Sequence, residues 1–309
     1  MRKVFNTELI EEFLTALRVE LNRSENTIKG YRKDLMVFKD FVLQEKKESV
    51  PLAELTANLL GEYIQHLARE RLYQARTIRR HVAALKSFFG YLEDAEYIET
   101  NPASDLVNPR CPDTEPNYLY RSEVMRLFAA IPVNTKTALR DRSILMTLFY
   151  TGVRVAELVN LRREDICFAE KYVVVRKGKG AKYRRVPLHP KLEKQLRLYL
   201  EQWELEPGGY LFTNGAGGRL STEYIRQITD RYAREAGIKK KVTPHVLRHT
   251  YATLLYRSGV VDIMTLSRLL GHSGLRNTTV YIHSDIEHLR TALEKLPSFE
   301  IIQRRLSNF

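Results

Sequence analysis

Apolar side chains recur at steps of three and four residues along most of the first hundred positions. Between Ser24 and Val42 the recurring residues are Ile28, Tyr31, Leu35, Phe38 and Val42. This spacing is the period of one face of an α-helix, and Ser24 is a favoured N-cap residue. The same step recurs before this stretch at Leu9, Phe13 and Leu17, and after it at Leu59, Tyr63 and Leu67. The pattern predicts an amphipathic helix at 24–42 and another helix on each side of it.

A fourth helix is predicted to open at Thr77. Its inner stripe comprises Ile78, Val82, Leu85, Phe88, Phe89 and Leu92, and its outer face carries Arg76, Arg79, Arg80 and Lys86. Charges on a single helix are usually just solvated, and a face that follows DNA phosphates is the alternative interpretation. The first part of the chain is thus predicted to be all-α.

The periodicity stops between Asn101 and Asn117, where four prolines occur: Pro102, Pro109, Pro112 and Pro116. Proline ends a helix and keeps a linker semi-extended. We therefore expect a helical domain at 1–107, a proline-rich linker at 108–120 and a second domain at 121–309. The length of 309 residues agrees with two domains, because a single core rarely grows past about 250–300 residues.

Strand patterns appear only after this linker. The β-rich runs 172–176 and 183–188 flank Lys177-Gly-Lys-Gly-Ala-Lys182, whose glycines permit a turn, so a β-hairpin with a lysine-rich tip is predicted. Helices resume at Lys191, and Thr243 and Pro244 form a strong helix start, with Gly259 at the expected end. The second domain is predicted to be mixed and mainly α, with a small antiparallel β-sheet.

The charge balance points to a polyanionic partner. The chain has 50 Lys and Arg against 37 Asp and Glu, a net charge of +13. A hydrophobic fraction of 44% argues against a disordered chain. The two cysteines, Cys111 and Cys167, lack Cys-x-x-Cys spacing, so we expect no disulfide framework and a reducing compartment.

Targeting signals are not expected. The N-terminus reaches Glu8 before any apolar stretch develops, unlike a secretory signal peptide. No apolar run approaches the roughly 20 residues that span a bilayer. We expect a cytoplasmic protein without a membrane anchor.

Polar residues concentrate in two otherwise apolar segments. In the first, Arg154 and Glu157 stand three residues apart and would share a helix face; a simple ion pair between them is the plain interpretation. In the second, His245 and Arg248 have the same spacing near a helix N-terminus, a place that attracts anions.

A metal site is the alternative for the histidines. His245 and His249 have the spacing of a zinc-binding pair, but the residues between them are Val-Leu-Arg, which lack the glutamate of the zinc-protease motif and put a cation beside the proposed metal. We therefore expect no metal ligands among these histidines.

The last cluster is Gly271-His272, followed by Tyr281 nine positions beyond the histidine. Taken in order, Arg with Glu three residues on, a Gly-Lys-Gly hairpin, His-x-x-Arg, Gly-His and Tyr closely resemble the tyrosine recombinase family of phage integrases and Xer-type recombinases. The resemblance covers nearly the whole chain. Each motif is weak alone, but several in a fixed order within one domain are very unlikely to coincide by chance.

The resemblance implies the role of each matching residue. The catalytic positions fall on Arg154, Lys179, His245, Arg248, His272 and Tyr281, with Tyr281 as the nucleophile. Glu157 would orient Arg154. Lys177 and Lys182 occupy the same hairpin as Lys179, and each could reach a phosphate. The implied activity is site-specific recombination, in which DNA strands are cleaved and rejoined through a 3′-phosphotyrosyl intermediate and a Holliday junction, and the resemblance implies no metal or nucleotide cofactor.

The first hundred residues resemble the family's core-binding domain. The chain starts almost directly in it, which favours an Xer-like or transposon-resolvase type over an integrase with an arm-binding domain. Implied partners are duplex DNA with inverted-repeat core sites and a homo-tetramer on two sites, or a hetero-tetramer with a paralogue, in the nucleoid. DNA contacts are expected at Arg76, Arg79, Arg80, Lys86, Lys182 and Arg226. The apolar tail after Tyr281 packs either within its own chain or on a neighbouring subunit.

Two other functions remain as alternatives to recombination. A type IB topoisomerase shares the tyrosine chemistry but rejoins the same strand of one duplex. A sequence-specific DNA-binding protein would not cleave and would have no need of Tyr281 with both arginines.

Overall fold

The computed structural model describes residues 4–20, 25–43, 49–110, 117–176, 183–204 and 206–271. The chain divides into two compact units, residues 1–114 and 115–309. Within the described ranges, none of the helices has the length and apolar character needed to cross a membrane.

The described residues of the first unit contain four helices. They are α1 (Thr7–Val19), α2 (Glu25–Leu43), α3 (Ala57–Arg69) and α4 (Ala75–Asp94). The four predicted helices are confirmed, although α4 begins two residues before its predicted start at Thr77 and Ser24, the predicted N-cap of α2, lies outside the described residues. A two-residue antiparallel pairing of β1 (Val4–Phe5) with β2 (Val50–Pro51) was not predicted, because strands this short show no alternation.

Aromatic rings fill the core of the first unit. The six residues of the predicted inner stripe of α4 are all buried. The ring of Phe88 lies 5.4 Å from Phe13 on α1 and 5.7 Å from Phe5 on β1, measured between ring centroids. Burial of this stripe is what holds α4 in place, since large aromatic side chains dominate the energetics of a small core.

A buried carboxylate joins α2 to α4. Asp34 accepts two hydrogen bonds of 2.7 Å from the Arg80 guanidinium, and His81 Nε2 lies 3.3 Å from the same carboxylate. The other ring nitrogen of His81 is 2.8 Å from the Tyr63 hydroxyl. Burial lowers the pKa of His81 and outweighs the attraction of Asp34. Arg80, predicted to face DNA, is thus engaged in holding two helices together.

The second unit is mixed and mainly α, as predicted. In the part of this unit that the structure describes, the helices are α5 (Arg121–Ala129), α6 (Lys136–Thr151), α7 (Val155–Leu158), α8 (Pro190–Gln202), α9 (Thr222–Glu235), α10 (Pro244–Arg257) and α11 (Ile263–Leu270). Its strands are β3 (Ile166–Cys167), β4 (Tyr172–Arg176) and β5 (Tyr183–Pro187), which form one antiparallel sheet in the order β3-β4-β5. The predicted hairpin of β4 and β5 is confirmed, and the two-residue β3 is an addition.

Helix α6 is the central element of this unit. Its apolar residues Ile144, Leu145 and Leu148 are fully buried. The buried hydroxyls of Ser143 and Thr147 are hydrogen-bonded, because they donate to carbonyls one turn back in the same helix. A helix buried on nearly all sides gives a rigid support for the residues that follow its C-terminus.

A second buried carboxylate stabilises the second unit. Asp141 on α6 is completely buried and lies 3.0 Å from the buried Arg140 guanidinium. It also accepts from Arg231, at 3.1 Å, and from the hydroxyls of Tyr224 and Tyr232, at 3.2 and 3.3 Å. One carboxylate therefore joins α6 to α9.

Replacing Asp141 with Asn should destabilise the protein by about 3 kcal/mol, because the buried Arg140 loses its counter-charge. Urea unfolding of wild type and variant measures the change. Asp230→Asn is the matched control, since Asp230 makes an exposed pair with Arg234, worth at most about 1 kcal/mol. Equal losses in the two variants would show that burial of the Asp141 cluster contributes nothing.

Candidate active site

The site begins where α6 ends at Gly152. This glycine has a φ of +61°, in the left-handed region that favours glycine. A Cβ atom added there would lie 2.4 Å from the Tyr251 ring and 3.2 Å from the Leu270 side chain. Only glycine therefore lets the end of α6 approach α10 and α11 this closely, and the next turn brings Arg154 to the same place.

Arg154 and Glu157 meet at the start of α7. Arg154 is the N-cap of this short helix, and its backbone N–H donates to Glu157 Oε2 at 2.8 Å. Its Nη1 donates to Glu157 Oε1 at 3.1 Å. The two residues thus form a cap, which differs from the expected shared helix face, but they do pair. The Arg154 side chain remains 41% exposed, so the ion pair leaves its guanidinium accessible.

Arg184 completes the site from β5. Its Nη1 and Nη2 donate to the two oxygens of Glu157 at 2.9 and 2.8 Å, and its Nε donates to the Leu269 carbonyl at 2.8 Å. Burial disfavours the ionised form of Glu157. Hydrogen bonds from Arg184 and the Arg154 backbone outweigh this effect and lower the pKa of Glu157 to about 2. Glu157 is therefore a carboxylate at neutral pH.

Arg184 is not among the residues predicted from the sequence, although its position on the strand indicates a buried arginine. Successive residues of a strand face opposite sides, so Arg184 shares a face with Val186, and Val186 is fully buried. An arginine on the inward face of a strand needs a buried acceptor. That argument would have singled out Arg184 over its exposed neighbour Arg185.

Helix α10 contributes His245 and Arg248. The helix begins as predicted, with the Thr243 side chain accepting from the Val246 N–H at 3.3 Å and Pro244 in its first turn. Arg248 is buried, and its Nη1 and Nη2 donate to the carbonyls of Gly152 and Leu270 at 2.5 and 2.8 Å. It therefore ties the end of α6 to the end of α11.

His245 is held in its neutral form. Desolvation lowers its pKa, and the positive charges of Arg248 and Arg154 lower it further. A neutral imidazole at pH 7 is able to accept one proton and donate another. Among the described residues, no three His, Cys, Asp or Glu side chains come together in a group that could hold a metal ion.

Three arginines converge on the C-terminal end of α11. Arg184 donates to the Leu269 carbonyl, Arg248 to the Leu270 carbonyl, and Arg154 Nη2 to the Gly271 carbonyl at 3.2 Å. The last carbonyls of a helix have no partner within the helix and carry partial negative charge. The end of α11 thus organises the cluster, and it directly precedes His272 in the chain.

Four predicted site residues lie outside the described residues: Lys179, Lys182, His272 and Tyr281. The apolar tail after Tyr281 lies outside them as well. Arg176 and Tyr183, which flank the lysine-rich tip, pair with each other across the hairpin. Of the six predicted catalytic residues, the structure brings together Arg154, His245 and Arg248: the two arginines donate to consecutive carbonyls at the end of α11, and their charges act on His245.

The candidate DNA-contact residues differ in their surroundings. Lys86 donates to the Ser104 carbonyl at 2.8 Å, Arg226 pairs with Glu223 at 3.0 Å, and Arg80 is bound to Asp34. Arg76 and Arg79 are exposed on α4, and within the described ranges neither forms an ion pair. These two arginines are the best placed of the set to meet an external anion.

Family models match both units of the chain. Residues 117–288 match the model described as the phage integrase family. Residues 10–96 match the model of the phage integrase N-terminal SAM-like domain.

Relatives match over nearly the full length. Tyrosine recombinase XerC of Oceanobacillus iheyensis is 36% identical over 296 residues, which cover 93% of this chain and 94% of the relative. Tyrosine recombinase XerA of Pyrococcus furiosus is 36% identical over 299 residues, or 95% of each chain.

Solved structures share the fold. A crystal structure of XerA recombinase aligns with a TM-score of 0.53 at 31% identity, covering 94% of this chain and 100% of that one. XerH recombinase, in a post-cleavage complex with a palindromic difH substrate, aligns with a TM-score of 0.74 at 23% identity and covers 94% of this chain and 84% of that one. Two family models and full-length relatives thus agree with the arginine cluster built above: the chain belongs to the phage integrase family and is a site-specific DNA recombinase of the tyrosine type.

Proposed function

We propose that this recombinase cleaves duplex DNA by attack of the Tyr281 hydroxyl on a phosphodiester held by Arg154. The observation that carries the proposal is the cluster of three arginines on the last carbonyls of α11, two of which also bind the carboxylate of Glu157. Its positive charges outnumber the negative one, and the partly exposed Arg154 offers donors to a phosphate. Such preorganised donors stabilise the charge that develops on the nonbridging oxygens in the transition state.

The remaining residues complete a metal-free exchange. Tyr281 gives up its hydroxyl proton to neutral His245 or to water and forms a bond to phosphorus, and the 5′ oxygen leaves with a proton from Lys179, so that the 3′ phosphate is esterified to tyrosine. Arg248 and His272 add positive charge and a donor. His245, neutral at pH 7, assists proton transfer or holds the phosphate. The ester keeps the energy of the broken bond, so a 5′ hydroxyl from another strand can rejoin the DNA.

The proposed partner is duplex DNA with inverted-repeat core sites, bound by a homo-tetramer or by a hetero-tetramer with a paralogue. The net charge of +13 supports a polyanionic partner. The structurally similar XerH is bound to a palindromic substrate, which is an inverted repeat. We propose domains at 1–107 and 121–309 with a linker at 108–120. The division of contacts after Thr114 and the family-model bounds support this arrangement.

Covalent capture tests the function. A pool of duplexes with randomised inverted half-sites is first enriched by binding to the wild-type protein, and the selected duplexes are then nicked to trap the cleaved state. We expect a protein–DNA adduct that survives denaturing electrophoresis and forms in the presence of EDTA. Tight binding without any adduct would favour a DNA-binding protein and overturn the cleavage proposal.

Arg76 and Arg79 are proposed to contact phosphates from α4. Replacing both with Gln should lower the slope of log K against log salt by about 2, because each phosphate contact contributes about 0.9. Gel-shift titration at several salt concentrations measures the slope. The control, Arg18→Gln with Arg32→Gln, removes the same charge from two residues that already pair with Glu25 and Glu11. Equal slopes in the two double variants would remove α4 from the DNA-binding surface.

A further inference from the structure

Arg184 connects three elements of the second unit. It projects from β5, binds both oxygens of Glu157 on α7 and reaches the Leu269 carbonyl on α11. We propose that Arg184 is a positioning residue for strand cleavage, which acts through Glu157 to keep the guanidinium of Arg154 available to the scissile phosphate. The inference rests on the proposed function, in which Arg154 holds that phosphate.

Arg184 and Arg154 share the two oxygens of the Glu157 carboxylate. Glu157 Oε1 accepts from the side chains of Arg184 and Arg154, whereas Oε2 accepts from the Arg184 side chain and the Arg154 backbone. Arg154 therefore makes only one side-chain contact to Glu157, the longest of the four at 3.1 Å. Without Arg184, both oxygens could take a bidentate pair from Arg154. That pair would compete with the phosphate for the same donors.

Arg184 also fixes the position of the α11 C-terminus. Gly271 has a φ of +65°, and a Cβ added there would lie 2.8 Å from Arg184 Nη1. Arg184 thus packs directly against the residue whose carbonyl holds Arg154 Nη2. One guanidinium therefore fixes both acceptors of the Arg154 side chain, the Glu157 carboxylate and the Gly271 carbonyl.

Exposure distinguishes the two arginines. The Arg184 side chain is 12% exposed, compared with 41% for Arg154. Three of its five N–H donors already reach protein acceptors. The Arg184 guanidinium is therefore both occupied and largely shielded from an external phosphate, so Arg184 acts on the reaction through Arg154.

Single-turnover cleavage of the selected nicked duplex tests the inference. Arg184→Gln should lower the cleavage rate at saturating DNA about 10-fold or more, while the half-saturating DNA concentration stays within about twofold. Arg184→Lys keeps the charge but lacks the planar fork that binds both Glu157 oxygens while Nε reaches the Leu269 carbonyl, so we expect partial recovery of the rate. Melting curves identify any variant that fails to fold, and the lysine variant then carries the test.

Arg185→Gln is the matched control. Arg185 is the next residue on the same strand, is exposed and lies over the Tyr172 ring at 4.8 Å. It removes the same charge from the opposite face of the sheet, so its saturating rate should equal that of the wild type. If Arg184→Gln, or Arg184→Lys where the first does not fold, cleaves as fast as Arg185→Gln, the inference is overturned.

A double-mutant cycle separates positioning from a general structural role. If Arg184 acts mainly through Glu157, adding Arg184→Gln to Glu157→Gln should slow cleavage much less than Arg184→Gln slows the otherwise wild-type protein, because the shared carboxylate is already gone. Independent, multiplicative losses would contradict the inference.

The reaction of the wild-type protein tests the proposed function separately. No adduct with wild type overturns that function and the inference together, whereas wild-type adducts with an unaffected Arg184 variant overturn only the inference.

Discussion

Tyr281→Phe should abolish the covalent protein–DNA adduct and leave DNA binding within about twofold of the wild type. A phenylalanine ring has the same shape but no oxygen to attack phosphorus, so no phosphotyrosyl ester can form. Tyrosine ordinarily has a pKa of about 10 and is a weak nucleophile at pH 7. In the proposed reaction, concentrated positive charge beside this hydroxyl is therefore what makes it reactive. Denaturing electrophoresis of the trapped duplex gives the result directly.

The control for this substitution is Tyr183→Phe. Tyr183 is an exposed tyrosine at the start of β5 in the same unit, and loss of its hydroxyl should leave adduct formation unchanged. An adduct that persists in Tyr281→Phe would show that another tyrosine, or another nucleophile, performs the attack. Peptide mapping of that adduct would then identify the residue.

Arg154→Gln should reduce the cleavage rate about 10²- to 10³-fold, the usual cost of removing one preorganised donor to a developing charge. The loss should appear mainly in the rate at saturating DNA, because the donor is worth most in the transition state. Glu157 keeps its two contacts to Arg184 in this variant, so the local fold should persist. Single-turnover kinetics on the nicked duplex measure the effect, with melting curves as the folding check.

Arg197→Gln is the matched control for Arg154→Gln. Arg197 is a half-exposed arginine on α8 that pairs with Glu193 at 2.8 Å, which reproduces the arginine–glutamate arrangement at a surface site. Its cleavage rate should match the wild type. A loss of less than about tenfold in Arg154→Gln would indicate that Arg154 serves to build the site and does not bind the phosphate.

Much of the architecture could be predicted because helix and hairpin patterns are local. The stripe of α4, the start of α10 at Thr243 and Pro244 and the pairing of β4 with β5 all follow from residues within about 20 positions of one another. The two-residue strands β1 and β3 were not predicted. Strands this short have too few residues for alternation to be detected.

The contacts of charged side chains could be predicted less completely than the helices and strands. Arg80 and Arg79 are neighbours on one helix, yet only Arg80 meets the buried Asp34, 46 positions away. The spacing of Arg154 and Glu157 singles them out in the sequence, whereas Arg184 lies in an ordinary β-rich run and has no such partner nearby. In each case the missing fact was a partner far away in the chain.

The positions of the helices and the hairpin, and the ordered motifs that indicate the family, could be derived from the sequence alone. Both are properties of residue type and spacing along the chain. The sharing of charges is visible only in the folded protein. Glu157 meets Arg184 across 27 positions, and Arg154 meets the Gly271 carbonyl across 117. Such contacts arise because the buried α6 and the ends of α7, α11 and β5 pack together, and spacing in the sequence does not encode that packing.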